Sequence, residues 1–382
     1  MKIMYIAFMF HTNQVPIMKG WTESGQEAVF VSQTKGNTEN HSVCSPFLLG
    51  YSKIFNLING VYKKINAKKN KYSSFPEAFE GHYAFPSFYK LIKLLRKINP
   101  DLLILRDRSV YTIFCYTAAK ICGIPSILYN QTPLYEEFLP KADFMHRMMR
   151  KLTPEIRMTP VYGRKNSSFK DKNSYYVPFV IQPQIAPGQR QYFIEGKINI
   201  LCVAKYEERK NQAMLLEVIR ELMTQYELNI VLVGEVSTDH HKLYFNRIKQ
   251  YLADNDMQDI VTLYSNYPPE KMGEHYKKAD VFVLPSTKEF ASISQLEAMA
   301  YSVPVIVSDT NGTACYVENE INGYTFEDNN KEDLKRKLQC LIHKKEKICQ
   351  MGENGYNKVL QEYSFSRYEE NIKELYKKAA RK

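Results

Sequence analysis

The sequence predicts an α/β protein built from two doubly wound parallel sheets. Along its 382 residues, short apolar runs alternate with longer amphipathic stretches, a rhythm typical of successive βαβ units. The rhythm stops once, in a stretch with prolines and glycines over residues 181–197, and then restarts. We therefore expect an N-terminal domain over 1–185, a linker over 186–197 and a C-terminal domain over 198–365. Such sheets bind ligands at the carboxyl ends of their strands, so we expect the site in a cleft between two facing domains.

The first domain is predicted from apolar runs that turn residues delimit. Gly25 precedes the second run, and Pro100 and Pro125 precede the third and fourth, because glycine and proline interrupt regular structure. A helix is expected between the third and fourth runs, over 111–122. The predicted strands of this domain span residues 3–10, 28–32, 102–105, 126–129 and 175–177.

The second domain repeats the pattern, since each apolar run is followed by an amphipathic stretch long enough for a helix. Its predicted strands span residues 198–203, 228–233, 260–264, 281–284, 305–307 and 324–326. Its predicted helices, with the one that ends the chain, span residues 211–226, 240–255, 270–278, 292–300, 331–345 and 366–380.

The net charge of +11 is concentrated in the first half of the chain. Residues 1–190 hold 26 Lys and Arg against 12 Asp and Glu, whereas residues 191–382 hold 26 against 29. A basic face attracts anionic surfaces, so we expect an anionic membrane surface or a lipid-linked diphosphate as partner; the alternative is that the lysines only solvate two helices. Nucleic acid is not expected, because no helix-turn-helix, zinc-finger or aromatic RNA-binding pattern is present. The densest basic run consists of Lys63, Lys64, Lys68, Lys69 and Lys71.

Composition excludes several classes of protein. No run of about 18 uncharged apolar residues predicts a transmembrane helix. The N-terminal apolar run has no cleavage pattern typical of a signal peptide. The seven cysteines form no CxxC pair, which favours free thiols in a reducing compartment. We therefore expect a cytoplasmic protein, which the basic face would bring to the inner face of the plasma membrane.

The segment over 279–309, ADVFVLPSTKEFASISQLEAMAYSVPVIVSD, carries the pattern with the most chemistry. A strand ends at Pro285, a loop carries Glu289, and a helix begins near Ser292. Glu297 lies on that helix, eight positions after Glu289. One carboxylate can therefore contact a ligand held at the start of the helix, and the other a part of the ligand lying along it.

The start of this helix is predicted from two overlapping capping boxes. Ser292 with Gln295 and Ser294 with Glu297 both have the required spacing. The sequence therefore allows two starting positions for the helix, two residues apart. In either case the backbone N–H groups near Ser292 and Ile293 lack helical partners. Such groups suit an anion, for example a diphosphate.

This segment resembles the E-x7-E motif of the family-4 retaining glycosyltransferases of the GT-B fold, the group 1 glycosyl transferases of surface polysaccharide synthesis. Leu-Pro-Ser precedes the first glutamate, Leu-Glu-Ala-Met-Ala surrounds the second, and Val-Pro-Val-Ile and Asn-Gly-Tyr follow in the family's order. The resemblance implies two Rossmann-like domains, of which the first binds the acceptor and the second the nucleotide-sugar donor. It also implies that the C-terminal helix, within 366–382, packs back on the first domain.

The resemblance further implies roles for individual residues. Residues 203–211, VAKYEERKN, resemble the V-G-R…K-G loop whose cations bind the donor diphosphate, with Lys205 in place of Arg and Asn211 in place of Gly. Lys210 and Lys205 would stabilise the leaving diphosphate, and Glu289 would bind hydroxyls of the donor sugar. Glu297 would bind the donor ribose. The remaining donor-side residues are Ser292, Ile293, Arg209, Gly234 and Pro285.

The first domain departs from the family pattern on the acceptor side. No Gly-Gly loop follows the first strand, where His11 stands near the strand end, and Gln131 occupies the place of a frequent histidine. Gln131 can hydrogen-bond a sugar hydroxyl but cannot act as a base. Phe290 replaces a small loop residue, and we expect it in the core; the alternative is that it faces the sugar. No metal or other cofactor is expected, since His240 and the adjacent histidine have no second ligand pair.

The implied function is that of a retaining glycosyltransferase. It would move a sugar from a nucleotide-diphospho sugar to a glycan or lipid-linked glycan, in bacterial surface polysaccharide synthesis such as that of O-antigen or capsule. A GT-B epimerase or phosphorylase, or a catalytically silent subunit that binds sugar nucleotides, is the alternative. A nicotinamide dehydrogenase is not expected, because no GxGxxG follows the first strand or the strand over 198–203.

Overall fold

The computed structural model describes residues 1–36, 41–67, 75–107, 110–136, 151–163, 169–170 and 173–381. The chain divides into two units. Unit 1 comprises residues 1–160, 164–177 and 365–382, and unit 2 comprises residues 161–163 and 178–364. Each unit is built on a parallel sheet, as the alternation of apolar and amphipathic segments predicts.

The strands of unit 1 follow the predicted apolar runs. In the described residues they are β1 (Lys2–Ala7), β2 (Glu27–Ser32), β3 (Phe47–Leu48), β4 (Leu102–Arg106), β5 (Ser126–Tyr129), β6 (Tyr135–Glu136), β7 (Arg157–Thr159), β8 (Phe169–Lys170) and β9 (Ser174–Tyr176). Seven form a parallel sheet in the order β3-β2-β1-β4-β5-β7-β9, and β6 pairs with β8 antiparallel. The prediction for β1 is too long, because Phe10 is buried in a loop and packs edge-on against Phe30 at 4.8 Å.

In the described part of unit 1 that precedes residue 137, five helices connect or flank these strands. They are α1 (Val15–Glu23), α2 (Lys53–Ala67), α3 (Phe75–Tyr83), α4 (Phe88–Ile98) and α5 (Val110–Ile121). Leu91 and Leu95 on α4 and Cys115 on α5 are fully buried in one core cluster with β1 and β4. The predicted helix over 111–122 is thus confirmed as α5.

Unit 2 contains all six predicted strands. They are β10 (Ile198–Val203), β11 (Leu228–Gly234), β12 (Val261–Ser265), β13 (Val281–Leu284), β14 (Val305–Ser308) and β15 (Gly323–Phe326). The sheet order is β12-β11-β10-β13-β14-β15, and each neighbouring pair is parallel. Its helices are α6 (Gln212–Leu222), α7 (Asp239–Asp254), α8 (Gly273–Lys278), α9 (Ser294–Ala300), α10 (Lys331–Ile342) and α11 (Lys345–Glu362).

Helix α11 is an element that the sequence did not predict. Gly352 and Gly355 lower the helix propensity of this stretch, so its pattern does not indicate a helix. A Cβ at Gly352 would overlap the backbone carbonyl of Ser302 and approach the hydroxyl of Tyr192 at 2.6 Å. The glycine therefore permits close packing of α11, and tertiary contacts outweigh its low propensity.

The final helix, α12 (Phe365–Ala380), belongs to unit 1. The ring of Phe365 packs edge-on against Trp21 of α1, with ring centres 5.0 Å apart. The indole of Trp21 donates to the hydroxyl of Tyr5 at 2.7 Å, and that hydroxyl lies 3.2 Å from the hydroxyl of Tyr368. A C-terminal helix on unit 1 is what the family resemblance implies.

The boundary between the units differs from the predicted one. The chain enters unit 2 at Pro178, and residues 186–197, predicted as a linker, pack within that unit. Arg190 shows why, because its buried guanidinium donates to the carbonyls of Tyr276, Ala279 and Tyr301. Prolines interrupt the sequence pattern here without making the segment a free connection.

No helix in the described ranges combines the length and the apolar character needed to cross a membrane.

Candidate functional site

Two loops of unit 2 meet at the carboxyl edge of its sheet. Strands β10 and β13 are parallel neighbours, so the loops that follow them leave at the same edge. The backbone N–H of Thr287 donates to the carbonyl of Arg209 at 2.8 Å, which joins the two loops directly. The topology thereby brings Lys210 and Glu289 together although 79 positions separate them.

Glu289 receives two cations on one carboxylate oxygen. The ammonium of Lys210 and the guanidinium of Arg209, the latter at 2.8 Å, both contact Oε2. The side chains of Lys210 and Glu289 are only 11% and 12% exposed, so this pair is largely withdrawn from water. Arg209 also donates to Glu207 at 2.8 Å. Arg209, predicted as a donor-side residue, therefore contacts Glu289 directly.

The cations control the ionisation of Glu289. Burial alone would raise the pKa of its carboxyl, but Lys210 and Arg209 together hold that pKa below its usual value. The group is therefore a carboxylate at neutral pH. With both cations on Oε2, the second oxygen keeps its capacity to accept hydrogen bonds from a ligand.

Asn211 explains how the cationic loop departs from the family pattern. Its backbone has φ 54° and ψ 33°, the left-handed conformation, at the residue before α6. Glycine adopts this conformation readily, and asparagine is among the few other residues that tolerate it. The change from Gly to Asn thus preserves the turn that presents Lys210.

Lys205 lies at the same edge but does not contact Glu289. Its ammonium pairs with Glu235 at 3.0 Å, just beyond the end of β11, and its side chain is 53% exposed. Burial raises the pKa of Glu235, while Ser237 and Lys205 lower it to a net value below normal. Gly234 leaves room for the neighbouring loop, because a Cβ there would overlap the carbonyl of Ala204. Glu235 is a residue of this edge that the sequence did not single out.

Glu297 lies on α9 and has a partner that sequence reasoning missed. The hydroxyl of Tyr276, on α8, donates to its Oε2 at 2.7 Å. Burial raises the pKa of the Glu297 carboxyl, and this hydrogen bond offsets the rise only in part. Burial and the adjacent carboxylate also raise the pKa of Tyr276, so its phenol remains a donor. In the sequence, Tyr276 lies in the segment EHYKKADVF, shortly before Glu289, and only this proximity could have indicated its role.

The predicted capping boxes at the start of α9 are wrong. The helix begins at Ser294, and its N-cap residue, Ile293, makes no side-chain capping hydrogen bond. The side-chain amide of Gln295 donates instead to the carbonyl of Thr313 at 2.7 Å. The hydroxyl of Ser294 donates to the carbonyl of Val203 at 3.1 Å and lies 3.0 Å from that of Ser292. Tertiary partners outside the helix therefore outcompete the local cap.

The backbone N–H groups in front of α9 remain available. Within the described ranges, those of Ser292, Ile293 and Ser294 donate to no protein acceptor. The first N–H groups of the helix with backbone partners are those of Leu296 and Glu297, which both bond to Ile293. Half-buried donors without partners are costly unless a ligand or water satisfies them.

The loop between Glu289 and α9 corrects one expectation. Phe290 was expected in the core, but it is 77% exposed. The carbonyl of Glu289 accepts from the backbone N–H of Gly312 at 2.7 Å, and a Cβ at Gly312 would overlap the carbonyl of Phe290. This close backbone contact holds the loop and leaves the Phe290 ring outside. Pro285 is buried at the end of β13.

The two acceptor-side candidates lie in unit 1 and have different surroundings. His11 is exposed before a short 3-10 turn, and its backbone N–H donates to the side chain of Gln14 at 3.0 Å. Gln131 follows β5 and accepts from the guanidinium of Arg106 at 2.8 Å. Arg106 ends β4 and stacks over the ring of Tyr129, 4.7 Å from its centre. Sequence reasoning missed Arg106, although a cation at the end of a buried strand was visible.

The predicted membrane lysines are only partly described. Lys63 and Lys64 lie on α2, and Lys63 pairs with Glu80 of α3 at 2.8 Å. Lys68, Lys69 and Lys71 lie outside the described residues. In the described ranges, no three or more His, Cys, Asp or Glu side chains form a group that could hold a metal ion.

Parts of the chain are similar to known proteins. Residues 188–358, which contain the site, match the family model of "Glycosyl transferases group 1". The amylovoran biosynthesis glycosyltransferase AmsK of Erwinia amylovora is 29% identical over 136 residues, which are 33% of this chain and 31% of that protein. UDP-Gal:alpha-D-GlcNAc-diphosphoundecaprenol alpha-1,3-galactosyltransferase of Escherichia coli is 35% identical over 102 residues, 26% of each chain. The chain thus spans less than a third of the length of these two relatives.

Solved structures extend the likeness to the whole chain. HepE of Anabaena, crystallised in complex with UDP-glucose, aligns with a TM-score of 0.69 at 13% identity and covers 98% of both chains. At this identity the comparison shows the fold. The two parallel sheets and the C-terminal helix on unit 1 therefore form the GT-B fold that the sequence predicts.

Proposed function

From a chain of GT-B fold whose residues 188–358 form a group 1 glycosyl transferase domain, we infer a retaining glycosyltransferase. It transfers a sugar from a nucleotide-diphospho sugar to a glycan or a lipid-linked glycan. The proposed pathway is the synthesis of a bacterial surface polysaccharide, at the cytoplasmic side of the membrane. The names of the Erwinia and Escherichia relatives support this choice of pathway.

One observation carries the proposal, namely the arrangement of charge around Glu289. Two cations from one loop contact one carboxylate oxygen from the next, and the Lys210–Glu289 pair is largely buried. Unpartnered backbone N–H groups follow three residues later on the same chain segment. Such a site can hold an anion of more than one charge and, beside it, a group rich in hydroxyls. A sugar diphosphate has both parts.

The proposed mechanism uses these cations on the leaving group. As the sugar–oxygen bond lengthens, negative charge grows on the departing diphosphate. Lys210 and Arg209 stabilise that charge from fixed positions, with the N–H groups near Ser292. Glu289 accepts hydrogen bonds from hydroxyls of the sugar. The acceptor attacks on the face that the diphosphate leaves, and a phosphate oxygen takes its proton, so no dedicated protein base is required.

Glu297 and Lys205 complete the proposed donor site. Glu297 accepts from the ribose hydroxyls, and Tyr276 holds its carboxylate in the required orientation. Lys205, whose side chain is 53% exposed, reaches the diphosphate by exchanging its partner Glu235 for phosphate oxygens, which is a modest cost for a partly exposed ion pair. On the acceptor side, Gln131, oriented by Arg106, and His11 supply hydrogen bonds to acceptor hydroxyls. The reaction proceeds without a divalent metal, since protein cations take that role.

The test is a panel of UDP-, GDP-, ADP- and dTDP-sugars. Binding is followed by ligand-detected NMR and slow hydrolysis by release of nucleotide, for the wild type and for Glu297→Gln. Glu318→Gln is the matched control, since it removes another glutamate of unit 2, which pairs with Lys358. We expect one donor to bind and turn over in the wild type and in the control, and to bind at least about tenfold more weakly to Glu297→Gln.

Other outcomes would contradict the proposal in distinguishable ways. Binding of no sugar nucleotide would refute the donor site. Binding without turnover, even with acceptor glycans present, would indicate a silent binding subunit. Conversion of the donor sugar without its transfer to an acceptor and without net release of free nucleotide would indicate an epimerase. Turnover that depends on inorganic phosphate would indicate a phosphorylase.

A further inference from the structure

Helix α2 turns its aliphatic side chains toward solvent. Its aliphatic stripe consists of Ile54, Leu57, Ile58, Val61 and Ile65, and each of these residues is between 47% and 72% exposed. Their spacing of three or four residues places them within an arc of about 100° of the helix surface. A continuous apolar face of this kind on a soluble surface marks an interaction site.

The stripe is not needed for the core of unit 1, because a different face of α2 packs there. Phe55 is 1% exposed, and Tyr62 stacks on Phe79 of α3 with ring centres 3.9 Å apart. The polar Asn59 is also on this inner face, where its amide donates to Glu80. The helix therefore buries an aromatic and polar face and leaves its most aliphatic face outside.

Charge identifies the occupant of the stripe. Lys53 and Lys64 border it on the side away from the core, whereas Lys63 lies farther round the helix and pairs with Glu80. Helix α2 contains no acidic residue. A second copy of α2 packed on the stripe would bring the same lysines together, which is unfavourable. An anionic lipid surface offers both the apolar layer and the opposite charge.

We propose that α2 lies in the interface of an anionic lipid bilayer. The aliphatic stripe inserts at the boundary between headgroups and acyl chains, and Lys53 and Lys64 contact the headgroup phosphates. A helix of 15 residues is about 22 Å long, so it lies along the surface and does not span the bilayer. In this proposal the aliphatic stripe of α2 supplies the main attachment to the membrane, and lysines assist it. The sequence had suggested an attachment by the charge of the lysine run alone.

The experiment is co-sedimentation of the full chain with vesicles of phosphatidylcholine alone or mixed with phosphatidylglycerol. We expect binding to the mixed vesicles that weakens as salt is raised. Ile54→Gln/Leu57→Gln should bind about tenfold or more weakly. Its matched control is Leu243→Gln/Leu360→Gln, which removes two exposed leucines from α7 and α11 in unit 2. Lys53→Gln/Lys64→Gln should bind the mixed vesicles about twentyfold more weakly than the wild type. Lys271→Gln/Lys344→Gln, its control, should bind them as the wild type does.

Each outcome decides the proposal. It is overturned if the wild type ignores anionic vesicles, or if Ile54→Gln/Leu57→Gln binds them as the wild type does. It is also overturned if light scattering shows a wild-type dimer that Ile54→Gln/Leu57→Gln dissociates, because a second copy is then the occupant. Nucleotide-sugar hydrolysis in the absence of lipid should be unchanged in the α2 variants, so a failure here is separate from a failure of the donor site. If the double variant does not fold, Leu57→Gln alone gives the same comparison.

Discussion

Replacement of Lys210 by glutamine separates the structural role of its ion pair from its proposed chemical role. The change removes the ammonium that contacts Oε2 of Glu289 and leaves Arg209 as the remaining cation on that oxygen. Because Lys210 and Glu289 are both nearly buried, the carboxylate loses a partner that water replaces poorly. Arg209, at 41% side-chain exposure, compensates in part.

The expected cost in stability follows from this geometry. Removing one partner of a buried ion pair costs about 3–5 kcal/mol, and the remaining Arg209 reduces this to about 2 kcal/mol. The expected loss in turnover is larger, about 100-fold to 1,000-fold, because Lys210 is proposed to stabilise charge that develops on the leaving diphosphate. The assays are urea unfolding and nucleotide release with the donor that the panel identifies.

Lys358→Gln is the matched control for this prediction. Lys358 also forms a pair with a glutamate in unit 2, Glu318, and its side chain is similarly withdrawn at 13% exposure. The control should lose less stability, because Glu318 is 39% exposed, and should keep its turnover within about twofold. Equal turnover losses in Lys210→Gln and Lys358→Gln would refute the assignment of Lys210 to the leaving group and reduce it to a structural residue.

The pH dependence of stability adds a second readout. The pKa of Glu289 is lowered in the folded protein, so its ion pair stabilises the fold above the ordinary carboxyl pKa of about 4.3. That contribution is lost as the pH falls through the lowered pKa. In Lys210→Gln the pKa of Glu289 rises, so the free energy of unfolding should fall less steeply between about pH 6 and pH 3. An unchanged slope would contradict the charge assignment.

Three further predictions use other parts of the chain. Tyr276→Phe should raise the donor KM about tenfold with little change in kcat, because Glu297 loses its orienting hydrogen bond; a fall in kcat alone would contradict this. Gly352→Ala should lower the free energy of unfolding by about 2 kcal/mol in urea titrations, because its Cβ meets the Ser302 carbonyl; wild-type stability would refute the close approach. Chelation of divalent metals should change donor turnover by less than about twofold, and restoration of lost activity by Mg²⁺ or Mn²⁺ would contradict a metal-free site.

The sequence alone predicted most of the strands and the residues of one pair of loops. Parallel strands buried on both faces require apolar runs between helices, and this constraint is local enough to be read from the chain. The segment around Glu289 and Glu297 combines turn residues, two glutamates and the start of a helix at a spacing that is rare in unrelated folds. These features belong to consecutive residues, so one sequence suffices to detect them.

Partner choice was decided by the tertiary structure. Lys205 and Lys210 are five positions apart and chemically alike, yet one pairs with Glu235 and the other with Glu289. The separation arises because β10 lies between β11, which Glu235 follows, and β13, whose following loop carries Glu289, and this strand order is not specified by any local pattern. The capping boxes failed for the same reason, since Gln295 found a partner, Thr313, from a distant segment.

Packing also decided which apolar side chains are buried and where a close contact requires glycine. Gly352 weakens a helix in isolation but permits α11 to approach Ser302, so the sequence missed a helix that the fold requires. An amphipathic helix on a protein surface ordinarily buries its aliphatic face, and α2 has such a face. The fold buries Phe55 instead and leaves Leu57 exposed, because the aromatic residues of α3 supply the better-fitting partner. Which face of a helix becomes a surface depends on its neighbours, and neighbours exist only in the folded chain.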